Sequence, residues 1–135
     1  MKATEYTEGT DNYRGYPESE LTGKIIELAI EVHRTLGPGF LEAIYENALV
    51  IELEKVGLKC EQQKQVDVFY KGVKVGEHRL DLLVDSKVIV EVKAAKSLED
   101  IHRSQIISYL TATGIRIGLL LNFGKTKLEI DRIIV

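Results

Sequence analysis

The stretch that decides the fold is Val88-Ile89-Val90-Glu91-Val92-Lys93-Ala94. Side chains of an extended strand alternate between its two faces. Val88, Val90 and Val92 therefore share one apolar face, and Ile89, Glu91 and Lys93 share the other. A run this apolar belongs in the middle of a sheet, where charged side chains are seldom left without a partner or an ion. Glu91 and Lys93 must pair with each other, face water at one end, or form a site.

The preceding run, Arg79-Leu80-Asp81-Leu82-Leu83-Val84, reads the same way, with Leu80, Leu82 and Val84 on one face and Asp81 on the other. A three-residue loop of Asp85, Ser86 and Lys87 sets Val84 against Val88 and Leu82 against Val90, so that Asp81 falls opposite Glu91. Their Cβ atoms would then stand roughly 4.5–5.5 Å apart. Carboxylates that close repel unless a proton or a cation lies between them. Oxygen ligands of this type suit Mg²⁺, Mn²⁺ or Ca²⁺. A two-residue loop would put the two acids on opposite faces. Lys93 is two residues beyond Glu91. Its ammonium would either hold a phosphate oxygen or an attacking water, or make a plain salt bridge to one of the acids.

Outward from this hairpin, Val66, Val68 and Tyr70 alternate with polar or mixed neighbours, and Lys71-Gly72 signals a turn into Val73–Val84. Three strands in a row read as an antiparallel meander. Toward the N-terminus, Leu21, Ile25, Leu28, Ala29, Val32 and Leu36 recur at helical spacing. The expected helix runs from Glu20 to Leu36, with Ser19 or Thr22 as its cap. Gly37-Pro38-Gly39 stops it. A second helix is expected from Phe40 to Val56, with Leu41, Ile44, Tyr45, Ala48, Leu49 and Leu53 as its buried stripe and Gly57 as its stop. Beyond the hairpin, Leu98–Thr113 reads as a helix capped by Ser97. Ile115–Asn122 and Lys127–Val135 read as closing strands. The predicted order is α-α-β-β-β-α-β-β. The predicted class is α/β in the broad sense (α+β), a mixed sheet flanked by helices. Residues 1–18 read as a flexible arm, and 19–135 as one domain.

Bulk properties fit this reading. A chain of 135 residues suits one domain. Net charge is −3, with 5 basic and 11 acidic side chains in residues 1–57 but 13 and 10 in residues 58–135. Contact with a polyanion would fall to the second part, since phosphate contacts need Lys and Arg. No apolar run is long enough to span a bilayer. Met1 to Glu18 lacks a signal-peptide core, so the cytoplasm is the expected location. Cys60 is the single cysteine and reads as a small hydrophobe. His33, His78 and His102 are scattered, without metal-ligand spacing.

Asp81 followed by Glu91-Val92-Lys93 on the next strand resembles the D…(D/E)xK signature of the PD-(D/E)XK nuclease superfamily. Gly39-Phe40-Leu41-Glu42-Ala43-Ile44-Tyr45 resembles the motif that names the GxxExxY family within it. Gln105-Ile106-Ile107-Ser108-Tyr109 is similar to the QxxxY helix motif of its exonuclease-like branch. The resemblance covers residues 20–135 and implies a restriction-endonuclease-like fold. It further implies metal-assisted hydrolysis of nucleic-acid phosphodiesters, DNA above RNA, with Mg²⁺ or Mn²⁺ as cofactor. Asp81, Glu91 and the Val92 carbonyl would ligate the metal, and Lys93 would orient or activate water. Glu42 would complete the acidic cluster as ligand or through a bound water. Gln105 and Tyr109, on one helix face, would contact phosphate or support Lys93. A homodimer is compatible with so small a domain. The competing readings are a catalytically inactive module of the same fold that binds nucleic acid or protein, and a small-nucleotide phosphohydrolase.

Overall fold

The structure, a computed structural model, describes residues 6–7 and 16–135. Its elements run β1 (Tyr6–Thr7), α1 (Ser19–Leu36), α2 (Glu42–Lys55), β2 (Cys60–Tyr70), β3 (Val73–Val84), β4 (Val88–Lys93), α3 (Asp100–Thr113), β5 (Ile117–Asn122) and β6 (Leu128–Ile134). From residue 19 onward this is the expected order. The arm predicted over residues 1–18 lies largely outside the described residues, but Tyr6–Thr7 adds a short strand parallel to β6.

The strands form one mixed sheet in the order β1-β6-β5-β4-β3-β2. β2, β3 and β4 make the expected antiparallel meander. α3 then carries the chain across, so that β5 pairs parallel with β4 before β6 turns back antiparallel. The two central strands, β4 and β5, are almost wholly buried, as their unbroken apolar runs require.

Two apolar layers cover the sheet. On one face α1 and α2 pack Ile25, Ala29, Tyr45, Leu49 and Leu53 against Val88, Val90, Val92, Leu119 and Leu121. On the other, Ile106, Tyr109 and Leu110 of α3 meet Leu80, Leu83, Ile89 and Leu120. The alternation expected within β4 therefore holds. In β3 it breaks. Leu82 and Val84 join the first layer as expected, whereas Leu80 joins the second. The strand changes face at Asp81.

Several boundaries moved for identifiable reasons. β2 begins at Cys60, six residues before the alternating stretch, because a sheet-edge strand with both faces wet needs no apolar period. Neither Ser19 nor Thr22 caps α1. Glu18 stands at the N-cap, and the Thr22 hydroxyl donates back to its carbonyl. α2 starts at Glu42, so Leu41 and Ile44, expected in the stripe, are exposed. The cap of α3 is Glu99, not Ser97. Its carboxylate takes the His102 N–H while the His102 ring accepts the Glu99 N–H at 3.0 Å, a reciprocal capping box.

The loop leaving β4 is fixed by Asn122, which is fully buried. Its Oδ1 accepts the N–H groups of Ala95 and Gly124, and its Nδ2 donates to the Ala95 carbonyl and to Glu129. Gly124 is required there, since a Cβ would fall 2.4 Å from the Ala95 carbonyl oxygen. This lock sets the end of β4, where Lys93 lies.

Candidate active site

The loop between β3 and β4 has the three expected residues, with Asp85 and Ser86 both at positive φ. Val84 pairs with Val88, Leu83 with Ile89 and Leu82 with Val90. Backbone pairing stops there. In place of the next rung, the Asp81 N–H donates to Glu91 Oε2 at 2.9 Å and the Val92 N–H donates to Asp81 Oδ2 at 2.8 Å. Each acid bonds the other strand's backbone, so the ladder opens into a fork lined by two carboxylates.

Both are held in an unfavourable state. Burial first, then the Asp81 charge, pushes the Glu91 carboxyl up to about 8. Burial also raises Asp81, with the Glu46 charge adding in the same direction. The Val92 N–H and the Lys93 charge oppose the rise at Asp81, but only in part. A proton or a cation in the fork relieves this repulsion.

Lys93 follows on β4, and its Nζ donates to Gln105 Oε1 of α3 at 3.2 Å. The ammonium is thus directed by a neutral acceptor, and no salt bridge under 4 Å to Asp81 or Glu91 holds it. Tyr109, one turn beyond Gln105, is buried beside the fork. Burial raises its hydroxyl to about 12, with the Glu91 and Asp81 charges adding to the effect. It therefore stays protonated. Glu42 lies at the mouth of the site, its Oε2 accepting the Ala94 N–H at 3.2 Å. Asp81, Glu91, Lys93, Gln105 and Tyr109 thus come together, with Glu42 tied to the residue after Lys93. Val92 contributes its N–H to Asp81.

A model of the PD-(D/E)XK nuclease superfamily matches residues 19–133. The chain belongs to the PD-(D/E)XK nuclease superfamily. A solved structure described as that of SSO0001 aligns with a TM-score of 0.50 at 20% identity. The alignment covers 99% of this chain and 69% of that one, and it speaks for the fold. Among curated proteins none matches this chain.

Nucleases of this superfamily typically use divalent metals. The fork fits such an ion in its chemistry. It offers two hard carboxylate donors whose mutual repulsion a cation would relieve. Among the described residues no three acidic, His or Cys side chains already converge as a closed ligand set. A site in the superfamily's style would therefore be completed by water or substrate oxygens around Asp81 and Glu91.

Sequence reasoning missed Glu46 and Gln63. Glu46 of α2 is buried, and its charge reaches both Asp81 and Glu91. The Gln62 and Gln63 amides donate to it at 2.8–3.1 Å, and the Gln63 amide also lies 3.4 Å from Asp81 Oδ1. Gln63 has φ 52° in mid-strand. This is a left-handed conformation that costs a non-glycine residue roughly 1–2 kcal/mol. The available signal was an acid one turn after Glu42, on the same face as Tyr45 and Leu49. Tyr45 itself serves the turn. Its hydroxyl donates to the Gly37 carbonyl at 2.6 Å and accepts the Phe40 N–H at 3.1 Å, and its ring stacks on Phe123.

The remaining candidates lie elsewhere. His33 of α1 bonds the Lys125 carbonyl at 2.8 Å. The Cys60 thiol is raised to about 11, mainly by burial, and is inert near neutrality.

Proposed function

We propose that this chain is a metal-dependent nuclease that hydrolyses phosphodiester bonds of nucleic acid, DNA in the first instance, with Mg²⁺ or Mn²⁺. We place it in the GxxExxY branch. The observation that carries this reading is the fork itself, with a buried Glu91 and a half-buried Asp81 carboxylate cross-bonded to each other's strands and both raised in pKa. A strand pair that needed only stability would continue its backbone ladder there with apolar side chains. Perturbed acids clustered in this way are a mark of functional sites.

In this reading Asp81 and Glu91 hold the ion, with Glu42 or Glu46 acting through bound water. The ion would lower the pKa of a bound water and neutralise charge at the phosphate. Lys93, aimed by Gln105, holds a non-bridging phosphate oxygen or the attacking water, and its charge matches the developing anion. Tyr109, protonated across the neutral range, donates a hydrogen bond toward the same oxygens. Glu42 anchors the Ala94 N–H and so fixes the exit of β4.

The test is calorimetric titration of Mn²⁺ into the parent and into a variant carrying Asp81→Asn with Glu91→Gln, followed by a cleavage screen over DNA and RNA. The parent should bind, the variant should not, and cleavage should follow binding. A parent that binds no Mn²⁺, with or without nucleic acid present, would overturn the enzymatic reading and favour a binding module of the same fold.

A further inference from the structure

The hairpin of β2 and β3 extends well beyond β4, because β4 pairs only with Leu82–Val84 while β2 pairs with β3 as far as Tyr70 and Val73. α3 lies along one face of this extension. Between them is a cavity of about 420 Å³ lined by Asp67, Phe69, His78, Ser108, Thr111 and Ala112, with Val68. Successive side chains of a regular strand point to opposite faces. Val68 and Phe69 both line this cavity beside a register shift, where Val75 of β3 is the extra residue of a bulge. The Phe69 ring remains 60% exposed.

The cavity adjoins the site described above through two residues. The His78 ring meets Tyr109 edge-on, with centroids 4.4 Å apart, and Tyr109 senses the Glu91 and Asp81 charges. The Ser108 hydroxyl donates to the Gln105 carbonyl at 2.6 Å and lies 3.4 Å from His78 Nε2. One helix thus directs Gln105 and Tyr109 to the fork while Ser108, Thr111 and Ala112 line the cavity.

We infer that this cavity is a subsite for an unpaired nucleobase, the neighbour of the phosphate held at Asp81, Glu91 and Lys93. The inference rests on the nuclease reading above. Phe69 supplies a stacking face, and His78, Ser108 and Asp67 supply hydrogen-bonding groups for a base edge. In a duplex the faces and edges of a base are already engaged, so such a cavity selects a base that is single-stranded or displaced from its stack. Two of the four cations on the hairpin are engaged by acids, Lys64 by Glu61 at 3.2 Å and Lys74 by Asp67 at 3.2 Å and Glu77 at 3.6 Å. Recognition through the base fits this better than recognition through many phosphates.

The test is fluorescence anisotropy with labelled oligothymidylate, oligouridylate and a blunt DNA duplex, in Mn²⁺ and in a Lys93→Ala background that suppresses turnover. Phe69→Ala removes the stacking face, and Ala112→Trp fills the cavity from the helix side. Each should weaken single-strand binding roughly 5- to 100-fold, with duplex binding changed by less than about twofold and Mn²⁺ affinity unchanged. Unchanged single-strand binding in both variants, or equal losses on single strand and duplex, would overturn the subsite while leaving the nuclease reading intact. A parent that binds neither Mn²⁺ nor any oligonucleotide would overturn both.

Discussion

Replacing Glu91 with Gln removes a buried ionisable carboxyl but keeps an oxygen to accept the Asp81 N–H, so it isolates the electrostatics of the fork. In the metal-free parent, burial and then the Asp81 charge move the Glu91 carboxyl from 4.5 to about 8. The folded protein holds a proton that the unfolded chain releases near 4.5. The stability tied to that proton is complete below 4.5 and is lost as pH rises through about 8. The displacement sets an upper scale on the order of 5 kcal/mol. Relaxation of the fork and entry of water bring the expected loss to about 2–3 kcal/mol. Urea unfolding with a chelator present reads this directly. The parent should lose stability across that window, and Glu91→Gln should lose less by the stated amount. Saturating Mn²⁺ at the alkaline end should restore the parent by about 2.7 kcal/mol at a hundredfold excess over Kd, and should leave the variant unchanged. Parent and variant stabilities that run parallel across the window would refute the reasoning.

Asp81→Asn should remain folded because it still offers an acceptor to the Val92 N–H, whereas Asp81→Ala strands that donor and should cost about 1–3 kcal/mol more in urea unfolding. Equal stabilities would mean that the bond has no structural role. Lys93→Ala should reduce cleavage by about 10²–10³-fold with Mn²⁺ affinity retained in calorimetry. Gln105→Ala should reduce it less, since the ammonium survives without its guide, and equal rates in Gln105→Ala and parent would remove Gln105 from the site. Gln63→Gly relieves the left-handed strain and should raise stability by up to about 1 kcal/mol. It also releases Glu46 and Asp81, and should weaken Mn²⁺ binding; a gain in stability with unaltered binding would assign Gln63 a purely conformational part.

The fold was legible where local chemistry and tertiary packing agree. The valines of β4, the Gly37-Pro38-Gly39 break and the Asp85-Ser86-Lys87 loop all predicted what the chain does, and the loop length alone brought Asp81 to Glu91. What stayed hidden depends on partners that no local pattern names. Residues Cys60–Gln65 carry no strand signal, and β3 alone recruits them. Leu41 fits a helical stripe, yet α2 begins one residue later and leaves it 78% exposed. Glu46 reads as a surface helix acid until Gln62 and Gln63, from a strand of unremarkable sequence, close over it. The expected face for Leu80 assumed an unbroken strand, and the break lies at the residue that carries the chemistry.

That coincidence follows from the hydrogen-bonding needs of a buried backbone. Where two strands part inside a sheet, their N–H groups must find other acceptors. Here the acceptors are the carboxylates of Asp81 and Glu91. Side chains able to close the ladder in this way must be short acceptors at facing positions, and at such positions two acids are forced near each other in a poorly hydrated space. The penalty that raises both carboxyls, burial first and then the charge of Asp81 at Glu91 and of Glu46 at Asp81, is therefore a consequence of how the fork is built. A cation relieves it without breaking either backbone bond, because each acid has a second oxygen. The same two residues keep the sheet intact and make it receptive to a metal. Gln63 and Leu80, flanking the break on β2 and β3, then take the distortion that regular strands could not absorb.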